Sequence, residues 1–179
     1  GQTVCSDIAT SQSLTITNSI SMTGYYWTSA PVVTGGMTGG TVRAAPGNLT
    51  IINDTFTNII SLTRTATYSV IPRSALGCDG NTTSVVITVN PEPKGFAETA
   101  ITCSDISPAY NLQVNINNTG SGGNGILSNF SWIAASNIDV SGESTIPVSG
   151  NSINDILNNV GADTANVIYT ITPTSITNS

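Results

Sequence analysis

The side chains that could do chemistry in this chain of 179 residues are ten carboxylates and three thiols, and histidine is absent. Without histidine, the chain lacks both the usual general base and the commonest transition-metal ligand. Paired carboxylates can hydrolyse glycosides, but Glu92 and Glu98 lie in and beside a segment with two prolines, and Glu143 lies in a predicted turn. The sequence therefore predicts no catalytic residue and a protein that is not an enzyme.

Calcium is the metal that the oxygen ligands would suit, because Asp, Asn and backbone carbonyls on loops bind hard cations. Asp139 and Glu143 are close in sequence and are the candidate calcium ligands, and no other cofactor is expected. Other acids recur between the two halves of the chain, in the pairs Asp7/Asp105 and Asp54/Asp155. No DxDxDG-like loop is present, so we expect the recurring acids to hold turns and strand ends through hydrogen bonds to the backbone.

Hydroxyl and amide side chains must provide most of the polar surface. Charged residues make up 8% of the chain, against roughly 25% in an ordinary soluble protein, while Thr, Ser and Asn number 27, 22 and 19. Four basic residues at a net charge of −6 exclude a nucleic-acid groove. The uninterrupted apolar runs are far shorter than the roughly 20 residues of a membrane span, so no membrane insertion is expected.

The apolar residues favour β-strands. The chain has 21 Ile and 13 Val against seven Leu, and β-branched side chains fit a pleated sheet better than a helix. Apolar and polar residues also alternate in short runs, which is typical of half-buried strands. The apolar members of these runs are Leu14 and Ile16; Tyr25 and Trp27; Ala66, Tyr68 and Val70; Val85, Ile87 and Val89; and Leu112, Val114 and Ile116. The chain is therefore predicted to be all-β.

A long internal repeat divides the chain. Five blocks recur in the same order at offsets of 98 to 105 residues. They contain Cys5/Cys103, Leu14/Leu112, Trp27/Trp132, INDTFTN/INDILNN and ATYSVIP/VIYTITP. This period is too long for a solenoid, whose repeats run about 20 to 50 residues. We predict two domains, residues 1–92 and residues 93–179, which meet in the segment VNPEPKG, and we expect the second to be truncated at its C-terminal end.

Each copy is predicted to form an immunoglobulin-like antiparallel β-sandwich. About seven short strands, with a Trp in the third and a Tyr in the penultimate one, are typical of that architecture. The aromatic residues at these positions are predicted to lie in the cores: Trp27, Tyr68, Trp132 and Tyr169. The alternative is an exposed aromatic platform for sugars, formed by Tyr25, Tyr26 and Trp132.

The cysteines indicate the cellular compartment in which the protein is located. Cys5 opens the first copy and Cys78 closes it, six residues after Pro72. Six residues after the corresponding Pro173 is the last residue of the chain, so the partner of Cys103 is expected beyond the end of the fragment. We predict a disulfide between Cys5 and Cys78, which would contribute about 4 kcal/mol through loop entropy. Such a bond needs an oxidising compartment, so the protein is expected to be extracellular.

The motifs of the first copy carry a resemblance to a known family. They are CSD near the start, YYW in the third strand, INDTFTN, YSVIP and VVITVNPEP. In these motifs and their spacing, the copy resembles the PKD-like repeat domains of large surface adhesins of the Bacteroidota, among them the gliding-motility adhesins. The second copy matches as far as Pro173. The resemblance implies type IX secretion, display on the cell surface and a filament of many modules, each with the neighbouring repeats as partners.

The resemblance also suggests a modification site and a function. Asp163-Thr164-Ala165 is similar to the short O-glycosylation signal of the Bacteroidota, so Thr164 is a predicted acceptor. The leading hypothesis is a structural and adhesive repeat module of a cell-surface filament, which contacts an extracellular polysaccharide or a solid surface. The alternatives are a carbohydrate-binding module that recognises polysaccharide through its loops, and an accessory domain of a secreted hydrolase.

Overall fold

The computed structural model describes residues 1–15, 20–47 and 50–176 of the chain. The chain divides into two compact units, Gly1–Glu92 (unit 1) and Pro93–Ser179 (unit 2). Almost all regular structure in both is β-strand. The predicted all-β architecture of two tandem immunoglobulin-like domains is therefore confirmed.

The described residues of unit 1 form ten strands. They are β1 (Gln2–Cys5), β2 (Gln12–Ser13), β3 (Met22–Trp27), β4 (Val32–Val33), β5 (Thr38–Gly39), β6 (Arg43–Gly47), β7 (Ile51–Ile52), β8 (Phe56–Thr57), β9 (Arg64–Ser74) and β10 (Thr83–Asn90). The main sheet has the order β1-β10-β9-β3-β6, and β4 also pairs with β9. Two short ladders, β2–β7 and β5–β8, complete the unit. One pair departs from the predicted antiparallel arrangement, because β1 runs parallel to β10.

The core of unit 1 lies between the main sheet and the short ladders. The sheet contributes Trp27, Tyr68 and Ile87, and the ladder side contributes Ile52 and Phe56, all of them in one buried cluster. Tyr68 is at the centre, since the rings of Trp27 and Phe56 both meet it edge to face, with centroids 5.3 and 6.4 Å away. Edge-to-face contacts of this kind add about 1 kcal/mol each to the burial of the rings. The alternation predicted for β9 and β10 thus places their apolar residues inward.

Unit 2 contains seven strands and one helix among its described residues. They are β11 (Tyr110–Asn111), α1 (Leu112–Asn117), β12 (Ser128–Ala134), β13 (Val140–Ser141), β14 (Val148–Ser149), β15 (Ser152–Ile153), β16 (Asn158–Asn159) and β17 (Tyr169–Ser175). The largest sheet has the order β14-β12-β17, and the pairs β11–β15 and β13–β16 form separate ladders. Leu112, Ile116, Phe130, Trp132 and Ile153 form the core.

The ladders of unit 2 repeat those of unit 1 strand for strand. The ladders β12–β14 and β12–β17 correspond to β3–β6 and β3–β9, and β11–β15 and β13–β16 correspond to β2–β7 and β5–β8. Among the described residues of unit 2, no strand corresponds to β1, β4 or β10.

The strand predicted at Leu112, Val114 and Ile116 is wrong, because these residues form α1. Asn111 caps the helix, and its side chain accepts a hydrogen bond from the backbone N–H of Gln113, an arrangement that favours a helix start. Leu112 and Ile116 are buried and Val114 is exposed, because residues four apart share one face of a helix. In the first copy, Leu14 is buried, and Ile16 lies outside the described residues. No helix in the described part of the chain has the length and apolar character needed to cross a membrane.

The predicted disulfide between Cys5 and Cys78 is also wrong. All three cysteines are free and exposed. Cys5 pairs with Asn90 at the end of β10, and this end of β10 lies beside Arg64, the first residue of β9. The carbonyl of Cys78 accepts a hydrogen bond from the backbone N–H of Ser74, the last residue of β9. The 11 residues of β9, at about 3.3 Å each, hold these ends roughly 30 Å apart. A disulfide needs Cα atoms less than about 7 Å apart.

Thiol labelling of the folded chain tests this arrangement. We expect a small thiol reagent such as DTNB to titrate all three cysteines without denaturant, because each is exposed and unpaired. The matched variants Cys5→Ser, Cys78→Ser and Cys103→Ser should each lower the count by one. A count of one thiol in the denatured wild-type chain that falls to zero in Cys103→Ser would restore the Cys5–Cys78 pairing and contradict the strand register.

Candidate functional site

A hydrogen-bonded cluster around Asp54 ties the loops of unit 1 to the sheet. Asp54 follows β7, and one of its carboxylate oxygens accepts a hydrogen bond from the Tyr68 hydroxyl on β9. The backbone N–H and the hydroxyl of Thr41 donate to the two carboxylate oxygens at 3.0 and 2.6 Å. The backbone N–H of Asp54 donates to Thr10 Oγ1 at 3.0 Å, and that hydroxyl donates to the carbonyl of Ile52 at 2.9 Å. Through its carboxylate and its backbone N–H, Asp54 therefore holds a strand and two loops in place.

Unit 2 repeats this cluster around Asp155. The Tyr169 hydroxyl on β17 donates to Asp155 Oδ2 at 2.7 Å. The backbone N–H and the hydroxyl of Ser144 donate to Oδ2 and Oδ1, both at 2.7 Å. Ser144 is therefore the structural equivalent of Thr41, and Tyr169 is the equivalent of Tyr68. The acids recur between the copies because the fold uses them to fasten loops, as expected from the sequence.

The tyrosines of both clusters are held in their neutral form. Burial raises the pKa of Tyr68 far above its usual value, and the hydrogen bond to Asp54 and the charge of that carboxylate raise it further. Burial is also the largest cause of the raised pKa of Tyr169, followed by the hydrogen bond to Asp155 and then by the charges of Asp155 and Glu143. Each cluster is therefore a neutral phenol bonded to a carboxylate, which suits a structural fastening.

The raised pKa of Tyr68 makes unit 1 sensitive to alkali. Above about pH 10 the unfolded tyrosine ionises and the buried one does not, so the folded state binds more protons than the unfolded state. The stability due to this group is thus fully present below about pH 10 and falls by about 1.4 kcal/mol per pH unit above it. Urea unfolding between pH 8 and pH 11, followed by Trp27 fluorescence in a Trp132→Phe background, measures the slope. Tyr68→Phe should flatten it, and an unchanged slope would contradict the assignment.

A second recurring cluster explains the motif CSD. In unit 1, Ser6 Oγ accepts a hydrogen bond from the backbone N–H of Asn58 at 2.8 Å, and Asp7 Oδ1 accepts one from Thr57 Oγ1 at 2.5 Å. Asp7 has a φ of 57°, a left-handed conformation that Asp tolerates better than most residues. The motif therefore forms a turn that attaches the first segment of the unit to β8.

The same turn recurs in unit 2. Ser104 Oγ accepts a hydrogen bond from the backbone N–H of Asn159 at 3.0 Å, and Asp105 Oδ1 accepts one from Asn158 Nδ2 at 2.8 Å. Asp105 has a φ of 62°. Ser and Asp of the CSD motif are thus structural residues in both copies, while the adjacent Cys5 and Cys103 remain exposed thiols.

Asn58 is the structural residue that the sequence analysis missed. Its side chain is fully buried, and its Nδ2 donates to the carbonyls of Leu62 and Val89 at 3.1 and 2.9 Å. Its Oδ1 accepts a hydrogen bond from Ile60 N at 3.2 Å. The signal in the sequence was its recurrence as Asn159, at the last position of the INDTFTN/INDILNN block.

One acidic pair lies beside the CSD turn of unit 1. Burial raises the pKa of Glu92, and the hydrogen bond with Asp7 and the charge of that residue raise it further, while a hydrogen bond with Ser6 lowers it. Glu92 is also attached through its backbone, because its N–H donates to the carbonyl of Asn58 at 3.0 Å. The last residue of the unit is therefore fastened to the same turn as the first segment.

The four predicted core aromatics differ in burial. Trp27, Tyr68 and Trp132 are buried, and Tyr169 is half-buried. Trp27 Nε1 donates to the carbonyl of Thr41 at 2.6 Å, and the Arg43 guanidinium carbon lies 4.8 Å from the centroid of the Trp27 ring. The alternative of an exposed sugar platform loses two of its three members, because Tyr25 and Trp132 are 6% and 5% exposed.

The remaining candidate residues lie in the loops of unit 2. Asp139 and Thr164 line one open depression of about 470 Å³, together with Asn137, Asp163 and Asn166. Thr164 is exposed there, and its glycosylation stays a prediction. Glu143 is engaged differently, because its Oε1 accepts a hydrogen bond from Asn137 N at 3.2 Å. In residues 1–15, 20–47 and 50–176, no group of three or more acidic or cysteine side chains gathers to hold a metal ion, and calcium binding at Asp139 and Glu143 stays a prediction.

The duplicated clusters are matched by a duplicated family signature. The sequence profile of the PKD-like domain family matches residues 2–93 and, a second time, residues 100–179. The chain belongs to the PKD-like domain family. Members of this family are generally extracellular modules with structural or adhesive roles, and they are typically not catalytic. No curated protein and no solved structure was found to match the chain.

The two PKD-like domains share a set of structural residues. The residues that recur at matched positions, above all Asp54/Asp155, Tyr68/Tyr169 and Asn58/Asn159, fasten loops to strands. The loop tips, in contrast, differ between the copies. What recurs at the matched positions is a hydrogen-bonded framework.

Proposed function

We propose that this chain is a force-transmitting segment of a large adhesin displayed on the surface of a bacterium of the Bacteroidota, exported by type IX secretion and of the kind represented by the gliding-motility adhesin SprB. The duplicated PKD-like signature and the matching hydrogen-bond frameworks support a repetitive filament. The observation that carries the proposal is the parallel pairing of β1 with β10, the first and last strands of unit 1.

Parallel pairing of terminal strands suits a segment under tension. The ladder runs from Gln2↔Ile87 to Cys5↔Asn90. A force that pulls Gly1 and Glu92 apart draws β1 and β10 in opposite directions along their length, so the inter-strand hydrogen bonds are loaded together in shear. A hairpin of antiparallel terminal strands would instead open one bond at a time. Unit 1 is therefore built to transmit force along the chain.

Single-molecule force spectroscopy tests this mechanical role. We expect unit 1 to unfold in one step at a higher force than unit 2, because the described part of unit 2 has no ladder between its first and last strands. Handles at the ends of the full chain would report both units in one trace, and Asp54→Ala, which removes hydrogen bonds of unit 1 alone, would identify the event that belongs to unit 1. Equal forces, or a lower force for unit 1, would contradict the proposal.

Labelling of intact cells tests the surface location. Antibodies raised against residues 1–92 should stain unpermeabilised cells of the source bacterium, and protease treatment of whole cells should remove the stain. In-frame removal of this region from the gene should weaken attachment to a solid surface. Staining only after permeabilisation would rule out the adhesin.

The polysaccharide-binding alternative has one feature in its favour. The depression beside Thr164 is lined by amide and carboxylate side chains from Asn137, Asp139, Asp163 and Asn166, which are groups that hydrogen-bond sugar hydroxyls. A glycan array and an agar-affinity column, each run with and without calcium, distinguish the two functions. Retention that is lost in Asp139→Ala would favour recognition by this copy, whereas passage without retention in both conditions would leave the segment a spacer.

A further inference from the structure

The indole N–H of Trp132 lacks the partner that the matching tryptophan has in unit 1. Trp27 Nε1 donates to the carbonyl of Thr41 at 2.6 Å. Ser144 is the counterpart of Thr41, but its carbonyl accepts a hydrogen bond from the backbone N–H of Ala134 at 2.8 Å. Within the described part of unit 2, Trp132 Nε1 has no acceptor, although the side chain is 5% exposed. Because buried donors nearly always have an acceptor, this N–H marks a place where an oxygen atom from outside the chain is stabilised.

Trp132 also lines an open depression on the surface of unit 2. The depression has a volume of about 420 Å³, within the range of roughly 300–1,000 Å³ that ligand clefts have. Gly150 lies against the ring, and a Cβ atom at this position would be 3.3 Å from Trp132 Cη2, so glycine leaves the edge of the ring uncovered. The other lining residues are mostly short and polar: Val148, Ser149, Asn151, Ser152, Asn154 and Asp155.

In unit 1 a cation covers the corresponding ring. Arg43 pairs with Trp27 across the ladder β3–β6, and its guanidinium carbon lies 4.8 Å from the centroid of the ring. At the same register of the ladder β12–β14, Trp132 pairs with Val148, which is shorter and uncharged. The lining of the depression lies entirely within residues 132–155, all of which the structure describes, so this difference does not depend on residues further along the chain.

The groups in the depression suit sugar hydroxyls, which both donate and accept hydrogen bonds. The Trp132 N–H is a donor, and the exposed amides of Asn151 and Asn154 offer donors and acceptors. Asp155 Oδ1 accepts one hydrogen bond from within the chain, from Ser144 Oγ at 2.7 Å, and a carboxylate oxygen can accept a second. The depression therefore presents both kinds of partner within the reach of one ligand.

The charge of unit 2 favours a neutral sugar over an anionic one. The unit has one basic residue, Lys94. An acidic polysaccharide would meet a surface of its own sign, which opposes association. The acidic residues of the unit are Glu98, Asp105, Asp139, Glu143, Asp155 and Asp163.

We propose that this depression binds a short stretch of a neutral polysaccharide, with Trp132 as a hydrogen-bond donor at its base and with Asn151, Asn154 and Asp155 around it. Trp132 acts here through its N–H, not as an exposed stacking platform. Because Nε1 is buried, a ligand oxygen reaches it only when the ring or the neighbouring backbone shifts slightly. The inference rests on the proposed function for the source of the ligand, since an adhesin segment meets extracellular polysaccharide.

The indole N–H groups test the site on the intact chain. The chain has two tryptophans, so its proton–nitrogen correlation NMR spectrum has two indole peaks, which Trp27→Phe and Trp132→Phe assign. The neutral probes are cellohexaose, laminarihexaose, mannohexaose and neoagarohexaose, and hexagalacturonate is the anionic comparison. We expect a neutral probe to move the Trp132 peak downfield and saturably, because the N–H gains an acceptor. The Trp27 peak should stay in place, and hexagalacturonate should move neither.

Matched variants show whether binding uses this depression. Asn154→Ala should weaken binding about tenfold, whereas Asn53→Ala, at the matching position of the INDTFTN block, should leave it unchanged. Trp132→Phe should also weaken binding while unit 2 stays folded, since the lost N–H has no partner within the chain.

Absence of any shift of the Trp132 peak with all four neutral probes, while unit 2 remains folded, would overturn the inference. Binding that Asn154→Ala leaves unchanged would overturn it as well. Neither result would count against the proposed adhesin, because cell-surface labelling and force spectroscopy test that function without a sugar.

Discussion

Replacing Asp54 with alanine is expected to lower the free energy of unfolding of unit 1 by about 4 kcal/mol, because its carboxylate accepts three hydrogen bonds. Each hydrogen bond to a charged group contributes about 1.5–3 kcal/mol, and part of this is recovered when water solvates the freed donor. The substitution also leaves the Tyr68 hydroxyl without its acceptor in a fully buried side chain. Urea unfolding followed by Trp27 fluorescence in a Trp132→Phe background measures the change.

The second unit provides the matched control for Asp54. Asp155→Ala removes the equivalent hydrogen bonds, but Tyr169 is half-buried, so water can solvate its freed hydroxyl and the expected loss is about 2 kcal/mol. Asp54→Asn retains one acceptor oxygen, so its free energy of unfolding should lie between those of the wild type and Asp54→Ala. Equal losses in the two units would contradict the role given to burial.

Asn58→Ala is expected to cost unit 1 about 3 kcal/mol. The side chain is fully buried and bonds three backbone groups, at Leu62, Val89 and Ile60. Alanine would leave the buried carbonyl of Val89 and the part-buried groups of Leu62 and Ile60 without this partner, at about 1 kcal/mol each. The bond to Val89 also ties β10 to the loop after β8, so hydrogen exchange in β10 should accelerate in the variant. Both quantities can be measured on the full chain by denaturant titration and by amide exchange.

Asn159→Ala is the matched control for this second prediction. Asn159 bonds Asp163 and Gly161 but is only half-buried, so the expected loss is about 1 kcal/mol. Asn58→Asp keeps the size of the side chain and replaces two donors with a charge, and it should be at least as damaging as Asn58→Ala. A loss below about 1 kcal/mol in Asn58→Ala would show that the three backbone groups find other partners.

Sequence periodicity was sufficient to predict the strands in which one face is buried along a long run of residues. In β9 and β10, apolar residues at every second position face the core, since side chains alternate across a strand. Periodicity failed at Leu112–Asn117, because a run of three apolar residues spaced by two also places the first and the last of them four residues apart. The cap supplied by Asn111 and the packing of Leu112 and Ile116 in the core decided for a helix.

The cysteines show a different limit of the sequence. Cys5 and Cys78 open and close the first copy, and their positions along the chain suggested a bond between them. Position along the chain does not determine distance in space, however. Because β1 runs parallel to β10, it ends at the edge of the sheet opposite to the connection between β9 and β10. Only the register of these three strands separates the two thiols.

The residue types and the internal repeat alone determined that this chain is all-β, twofold and free of histidine-based chemistry, because composition, alternation and matched blocks are properties of the chain itself. The recurring acids could be predicted to be structural, since short polar side chains bond nearby backbone. Their partners could not, because Tyr68 and Thr41 reach Asp54 from distant strands and loops.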